Sequence, residues 1–446
     1  MPSKYKIRMR KVETVFLREG DLSISELVVR GHLTDDLLPC LLDEIGYNIR
    51  MDEKFYFVGL IETTNKIFIF FPKIFDVSKM DAKNSASLLK LLQLITQKRN
   101  NSIQAETTLS ASKAAVTSKR LKLAHRIMAN ARDHGLLKFD APVISHKERG
   151  VTNWAVTIAK QTPTHSTDGP IYLSPYLQHR SEDIDREIEK IHLYILKECF
   201  DRYGGILNFN ARDLSMLRNQ YYENILPNAQ SKLRGKLRET YDSRKQSTLK
   251  DCIDWLNLKT GDRLAVYGTR QFHIAWEMLC VNLLENFSNH PVFSALTRPP
   301  IWTTKTGLAF PGAGKFRFDM VWKDQGAKLL ILADAKYYKL YLDETGIVNA
   351  PGVNDISKQA HYHELIRKAQ ESVLLDEWSN YTLENVFLLP GIHQTSFATL
   401  FGTVIIPGIN MQPIKVVSVD YDSTVELYMR SMPADASRIT SVLTNS

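Results

Sequence analysis

Phe316-Arg-Phe-Asp-Met-Val-Trp322 and Leu329-Leu-Ile-Leu-Ala-Asp-Ala-Lys-Tyr-Tyr338 are two strand-like runs joined by the polar turn Lys323-Asp-Gln-Gly326. Their β-branched, apolar and aromatic residues on either side of a short polar turn predict a hairpin. Leu329–Ala333 is almost unbroken apolar sequence, which predicts a strand covered on both faces. A strand of that kind has little reason to end in Asp-Ala-Lys unless the charges do something.

Alternate residues of a strand share a face, so Asp334 and Lys336 emerge together, and Asp319 on the paired strand can stand opposite them. Mg²⁺ prefers hard oxygen donors and usually takes one or two carboxylates, leaving positions for water and a phosphate oxygen. A neighbouring ammonium can orient the attacking water and offset charge developing on phosphorus. Asp319, Asp334 and Lys336 therefore predict a Mg²⁺-dependent nuclease centre, in which Mn²⁺ can substitute. Upstream, Gln271-Phe-His-Ile-Ala-Trp-Glu277 opens an amphipathic helix expected to reach Phe287; Glu277 is the added ligand it offers and Glu285 the competing candidate. The plainer alternative is a strand-surface Asp334–Lys336 ion pair of small energetic value.

These residues resemble the PD-(D/E)XK nuclease superfamily, whose core is a helix, a β-meander carrying D…(D/E)-x-K, a helix and a further strand. Phe318 stands where that pattern has proline. Tyr267-Gly-Thr-Arg-Gln-Phe-His-Ile-Ala-Trp-Glu277, Ala333-Asp-Ala-Lys-Tyr-Tyr338 and Pro351-Gly-Val-Asn-Asp-Ile-Ser-Lys-Gln359 are similar to the LlaJI-type restriction endonucleases, relatives of the McrC nuclease subunit. The resemblance spans residues 263–420 or so. It implies that Glu277, Asp319, Asp334 and Lys336 are catalytic, with the three carboxylates as metal ligands, and that Gln359 positions metal-bound water or DNA. Tyr362 follows Gln359 by three residues where the RecB-type pattern has four, and receives no role. It further implies double-stranded DNA as substrate and a separate McrB-like AAA+ GTPase or ATPase motor as partner, docked by the N-terminal region. A repair or recombination nuclease on the same core, and an inactive DNA-binding or scaffold subunit, are the alternatives.

The chain has 446 residues, 44% hydrophobic and 24% charged, the composition of a globular protein of several domains. Nothing approaches the ~18 consecutive apolar residues that cross a bilayer, and the basic N-terminus lacks a secretory h-region, so no membrane association and a cytoplasmic location are expected. Cys40, Cys199, Cys252 and Cys280 form no C-x-x-C pair, which argues against a zinc site or disulfide framework. A net charge of +8 favours a polyanionic partner, weakly by itself.

The expected architecture is an α/β multidomain protein. Residues 1–80 form a β-rich domain around the hairpin Phe55–Ile61 and Lys66–Phe71. Residues 81–168 form an α+β region with helices near Ala82–Lys98 and Ser118–Asp133, then β-like runs Lys138–Ser145 and Val151–Ala159, an order compatible with a winged helix. Residues 169–262 are helical, and 263–446 hold the nuclease domain, a mixed sheet flanked by helices. Lys119 and Arg120 on one helix, and Lys232, Arg234, Lys236 and Arg238 on another, are candidate phosphate contacts, with solvated helix surface the alternative. Pro311-Gly-Ala-Gly-Lys315 lacks the first glycine and the final hydroxyl of a phosphate loop, so no intrinsic NTP hydrolysis is expected. His361, His363, His273 and His393 lack metal-ligand spacing and are expected at the surface or behind the site.

Overall fold

The computed structural model describes residues 12–444 apart from 33, 35–37, 46–52, 64–65, 102–118, 140–141, 146–150, 181–182, 211, 218–227, 259–263, 314–316, 345, 373–376, 394, 409–410 and 435–436. Strands β1 (Glu13–Arg18), β2 (Val58–Thr63), β3 (Lys66–Phe71) and β4 (Leu264–Thr269) make one sheet in the order β1-β3-β2-β4. The β2–β3 hairpin is antiparallel, β1 runs parallel to β3, and β4 runs antiparallel to β2. Gly59 on β2 pairs with Gly268 on β4. Gly59 has φ +145°, and a Cβ there would lie 2.2 Å from the Tyr267 carbonyl, so only glycine permits this approach.

The pairing of β2 with β4 crosses the boundary at 262/263 read from the sequence. The first 75 residues are also less purely β than expected, because helices Ile24–Val29 and Leu38–Ile45 intervene. The first of these is set by a capping box in which Ser23 and Glu26 satisfy each other's backbone N–H groups.

Helices Ala82–Asn101 and Lys119–His134 follow, the first burying Leu88, Leu89, Leu91 and Leu92. The expected run Val151–Ala159 is a strand only at Val151–Thr152; Trp154–Lys160 is a helix, because the Asn153 side chain accepts from the Val156 N–H and caps it. Pro142–Ser145 and Val151–Thr152 do not form the hairpin of a winged helix. Both instead pair with Leu177–Arg180, which lies between them. Helices Asp183–Cys199, Ala229–Glu239 and Ser243–Leu258 complete the middle of the chain. It is tied to the N-terminal sheet by Glu62, 1% exposed, which accepts from the Tyr203 hydroxyl at 2.5 Å and pairs with Arg202.

Beyond β4 come α1 (Phe272–Val281), a ribbon of β5 (Ile301–Thr303) and β6 (Ala309–Pro311), then β7 (Met320–Asp324), β8 (Leu329–Ala335), α2 (Val353–Gln370), β9 (Thr382–Gly391), β10 (Ala398–Val404), β11 (Ile414–Asp420) and α3 (Tyr421–Arg430). The second sheet has the order β7-β8-β9-β11-β10, with β8, β9 and β11 parallel and both edges antiparallel. A parallel pair needs a crossover, and α2 provides it between β8 and β9. Alternation along β8 sends Leu330 and Leu332 toward Tyr362 and Ile366 of α2, and Ile331 and Ala333 into the cluster that holds Phe272 and Trp276 of α1. The sheet is thus covered on both faces, and the fold is a mixed α/β one. No helix among the described residues is long and apolar enough to cross a membrane. Cys199, Cys252 and Cys280 are buried and form no disulfide.

Candidate active site

The antiparallel register sets Met320 opposite Ala333, so Asp319 stands one step further along, beside Asp334. Their carboxyl groups lie close enough to interact directly. Asp334 is 3% exposed. Burial first, then the neighbouring Asp319 carboxylate, push its carboxyl up to about 7. Lys336 Nζ lies 2.9 Å from Asp334 Oδ2 and 2.8 Å from Asp355 Oδ1. Burial works against the ammonium, but the two carboxylates outweigh it and hold Lys336 above its ordinary value. With side-chain exposures of 17% and 5% for Lys336 and Asp334, this is no surface ion pair.

Neighbouring backbone fixes these groups. Lys336 N–H donates to the Leu388 carbonyl of β9. Asn286 clamps the other strand, donating from Nδ2 to the Asp319 carbonyl at 3.2 Å and accepting the Val321 N–H at 3.1 Å. That clamp exists because α1 stops at Val281 rather than running to Phe287. The shorter helix leaves Glu285 exposed and outside it.

A cleft of about 530 Å³ opens onto Glu277, Asp319, Asp334, Lys336 and Lys358. Glu277 reaches it from α1, across the sheet from α2, and its carboxyl is raised by burial and then by the charge of Asp334. No group of three or more His, Cys, Asp or Glu side chains stands together as a metal cradle among the described residues, so Glu277 is not seated with the two aspartates. Asp319 and Asp334 by themselves supply the oxygen donors a hard divalent ion takes.

Gln359 does not face the cleft. It is 1% exposed and its Nε2 lies 3.4 Å from the Leu332 carbonyl, so it holds α2 against β8. Lys358, one residue earlier, takes the place facing the carboxylates, with Nζ 3.7 Å from Asp319 Oδ2 and 4.0 Å from Asp334 Oδ1. Asp355 lies one helical turn before Lys358, so residues three apart bring both to this side of α2. The sequence places Gln359 in this role, whereas in the structure its neighbour Lys358 is the side chain that faces the carboxylates. Tyr362 is structural, its buried hydroxyl accepting the Arg317 N–H.

The N-terminal sheet supplies another wall. Glu19, Tyr56 and Lys73 line the cleft together with His273 and Arg270. Lys73 Nζ sits 4.4 Å from the Tyr337 ring centroid, and its backbone N–H donates to the Tyr337 hydroxyl at 3.1 Å. Burial lowers Lys73 while Glu19 partly restores it, and burial raises Glu19 against its hydrogen bond from Tyr337. No sequence pattern links residues so far apart. Of the other histidines, His363 is buried, and His393 donates or accepts at Ser418 Oγ, 3.0 Å away.

The candidate phosphate contacts divide. Arg120 bonds the Leu258 carbonyl, Lys232 pairs with Glu187 at 2.9 Å, and Lys236 lies over the Phe139 ring. Those three serve the middle of the chain itself. Lys119, Arg234 and Arg238 are exposed.

Residues 57–422 match the LlaJI restriction endonuclease family. The chain belongs to that family. Among curated relatives, this LlaJI-family chain is 25% identical over 294 residues to the type II restriction enzyme BsuMI component YdjA of Bacillus subtilis strain 168, covering 63% of this chain and 60% of that protein. It is therefore aligned with less than two thirds of that relative. Among solved structures it is similar at TM-score 0.35 and 11% identity to a chain of the Thermococcus gammatolerans assembly of McrB AAA+ hexamers with bound McrC, covering 94% of this chain and 99% of that one. A second similarity, at TM-score 0.29 and 11% identity, is to the McrBC complex of the same organism, over 61% of this chain and 88% of that one.

Proposed function

We propose that this LlaJI-family chain is the DNA-cleaving subunit of a restriction system, with a PD-(D/E)XK core on the second sheet and Mg²⁺ as its metal. The observation that carries the reading is the cluster of Asp319, Asp334 and Lys336 at the end of a strand buried on both faces. Asp319 and Asp334 would hold the metal, and Glu277 would hold a water in its outer sphere. When bound, a divalent ion supplies Lewis-acid polarisation of the phosphate and a more acidic water. Lys336, fixed by two carboxylates and the Leu388 carbonyl, orients the attacking water and meets charge developing on the phosphate oxygens. Lys358 and Lys73 bring cations to the rim, where the duplex backbone enters. A complete Asp319, Asp334 and Lys336 set speaks against an inactive scaffold.

The sequence resemblance to McrC-like subunits supports a separate AAA+ motor as partner, with the N-terminal region as its docking face. Purified wild type, Asp334→Asn and Lys336→Ala are to be assayed on duplex DNA with Mg²⁺ or Mn²⁺, with and without the motor and its NTP. Cleavage by the wild type alone, strengthened by motor and NTP and lost in both variants, supports the reading. Equal activity of wild type and variants in the reconstituted system would overturn it.

A further inference from the structure

Residues 286–318, between α1 and Asp319, contain no Asp or Glu, yet carry Arg298, Lys305, Lys315 and Arg317. Within this stretch β5 and β6 pair with Trp302 opposite Phe310. Directly opposed residues share a face of a ribbon, so the two rings stand side by side. Both are open to solvent, Trp302 at 69% and Phe310 at 54%, with Ile301 and Leu308 exposed beside them. Large apolar side chains gathered on an exposed element mark a contact surface.

The ribbon is held in shape before anything binds. At its tip Thr304 N–H donates to the Leu308 carbonyl at 2.8 Å, Leu308 N–H donates to Thr304 Oγ1 at 3.0 Å, and Gly307 takes φ +86°. Trp302 lies against Gly312, where a Cβ would come within 2.6 Å of the indole nitrogen. A preformed ribbon loses little conformational freedom on binding.

Charge decides the occupant. Exposed rings in a stretch that carries Lys and Arg but no carboxylate fit a nucleic acid, because rings stack on bases or sugars while Lys and Arg neutralise phosphates. We propose that the β5–β6 ribbon is a second DNA contact, seated in a groove of the duplex beside the phosphodiester held at Asp319 and Asp334, with Trp302 and Phe310 against base or sugar edges and Lys305 and Arg298 on flanking phosphates. Two-stranded ribbons fit such grooves. This inference rests on the nuclease reading above, which supplies the duplex.

The test uses the full chain without divalent cation. Wild type, Trp302→Ala with Phe310→Ala, Trp302→Phe and Lys305→Ala are titrated onto a fluorescein-labelled duplex across a salt series, and each is sized by chromatography. The double alanine variant is expected to bind about tenfold more weakly or worse, as loss of aromatic stacking implies. Trp302→Phe keeps most of the affinity, and Lys305→Ala reduces the salt slope by about one. Should the double variant prove unstable, Trp302→Phe and Lys305→Ala still decide the matter, since an unchanged salt slope in the latter overturns the contact. Wild-type affinity in the double variant overturns the ribbon's role and leaves the nuclease reading standing, whereas a wild type that neither binds nor cuts duplex removes both. A double variant that binds DNA normally but loses self-association makes the ribbon a protein contact, and overturns the proposal equally.

Discussion

Trp276 and Lys336 meet at one oxygen: the indole N–H and the lysine backbone N–H both donate to the Leu388 carbonyl, at 3.2 and 2.9 Å. The helix that carries Glu277 and the strand end that carries Lys336 are thereby fixed to the same point of β9. Trp276→Phe keeps most of the buried ring but removes one donor. It is expected to lower unfolding free energy by about 1 kcal/mol and to reduce kcat more than KM, as denaturant titration and steady-state cleavage will measure.

Asp334→Asn should abolish cleavage by a factor on the order of 10² to 10³, the scale on which removing one electrostatic group from a reacting centre acts. The same change relieves a buried carboxyl forced toward its neutral form by burial and by Asp319. The melting temperature without metal should therefore hold or rise. A melting temperature that falls along with activity would show a folding defect instead.

Lys358 and Gln359 should separate by phenotype. Lys358→Ala is expected to weaken cleavage and DNA binding with little change in stability, since its ammonium faces the carboxylates. Gln359→Ala removes a buried bond to the Leu332 carbonyl and should cost about 1 kcal/mol of stability, with activity affected only as far as α2 shifts. Calorimetry beside cleavage assays distinguishes the two.

Glu62 joins the N-terminal sheet to the helical middle through Arg202 and Tyr203. Glu62→Ala strips Tyr203 of its acceptor and leaves Arg202 only the Thr63 carbonyl, and is expected to destabilise by about 3 kcal/mol, the scale of breaking a buried pair from one side. Chemical denaturation checks it.

His192 is fully buried, accepts the Leu137 N–H at 3.0 Å on Nδ1, and is lowered by burial to about 4. Its unfolded value lies near 6.5, so the unfolded chain binds the proton more tightly than the folded one. The contribution is complete above about pH 6.5, falls as pH drops toward 4, and totals about 3 kcal/mol at 1.36 kcal/mol per unit. His192→Asn keeps an acceptor and should flatten this part of the stability profile, measured by denaturant titration at successive pH values.

The hairpin of Asp319, Asp334 and Lys336 was legible because its information is local: a period of two places Asp334 and Lys336 on one side, and the turn fixes Asp319 opposite. Gln359 and Lys358 were harder, since adjacent helix residues point about 100° apart and only the packing of α2 on β8 selects between them. Trp154–Lys160 misled because Val156, Thr157 and Ile158 are β-branched, while the decisive signal was the single cap at Asn153. Glu19, Tyr56 and Lys73 carried no local mark, because their place in the cleft follows from the pairing of sheets across the chain.

That pairing also orders events during synthesis. β1, β2 and β3 leave the ribosome long before β4, the strand that must lie beside β2, and β4 leads directly into α1. Closing so long a loop is slow, since its entropy is lost before the contact rewards it. A nascent chain therefore holds an unfinished sheet edge, and its carboxylate cleft takes shape only once β4 and the strands that follow it have been made.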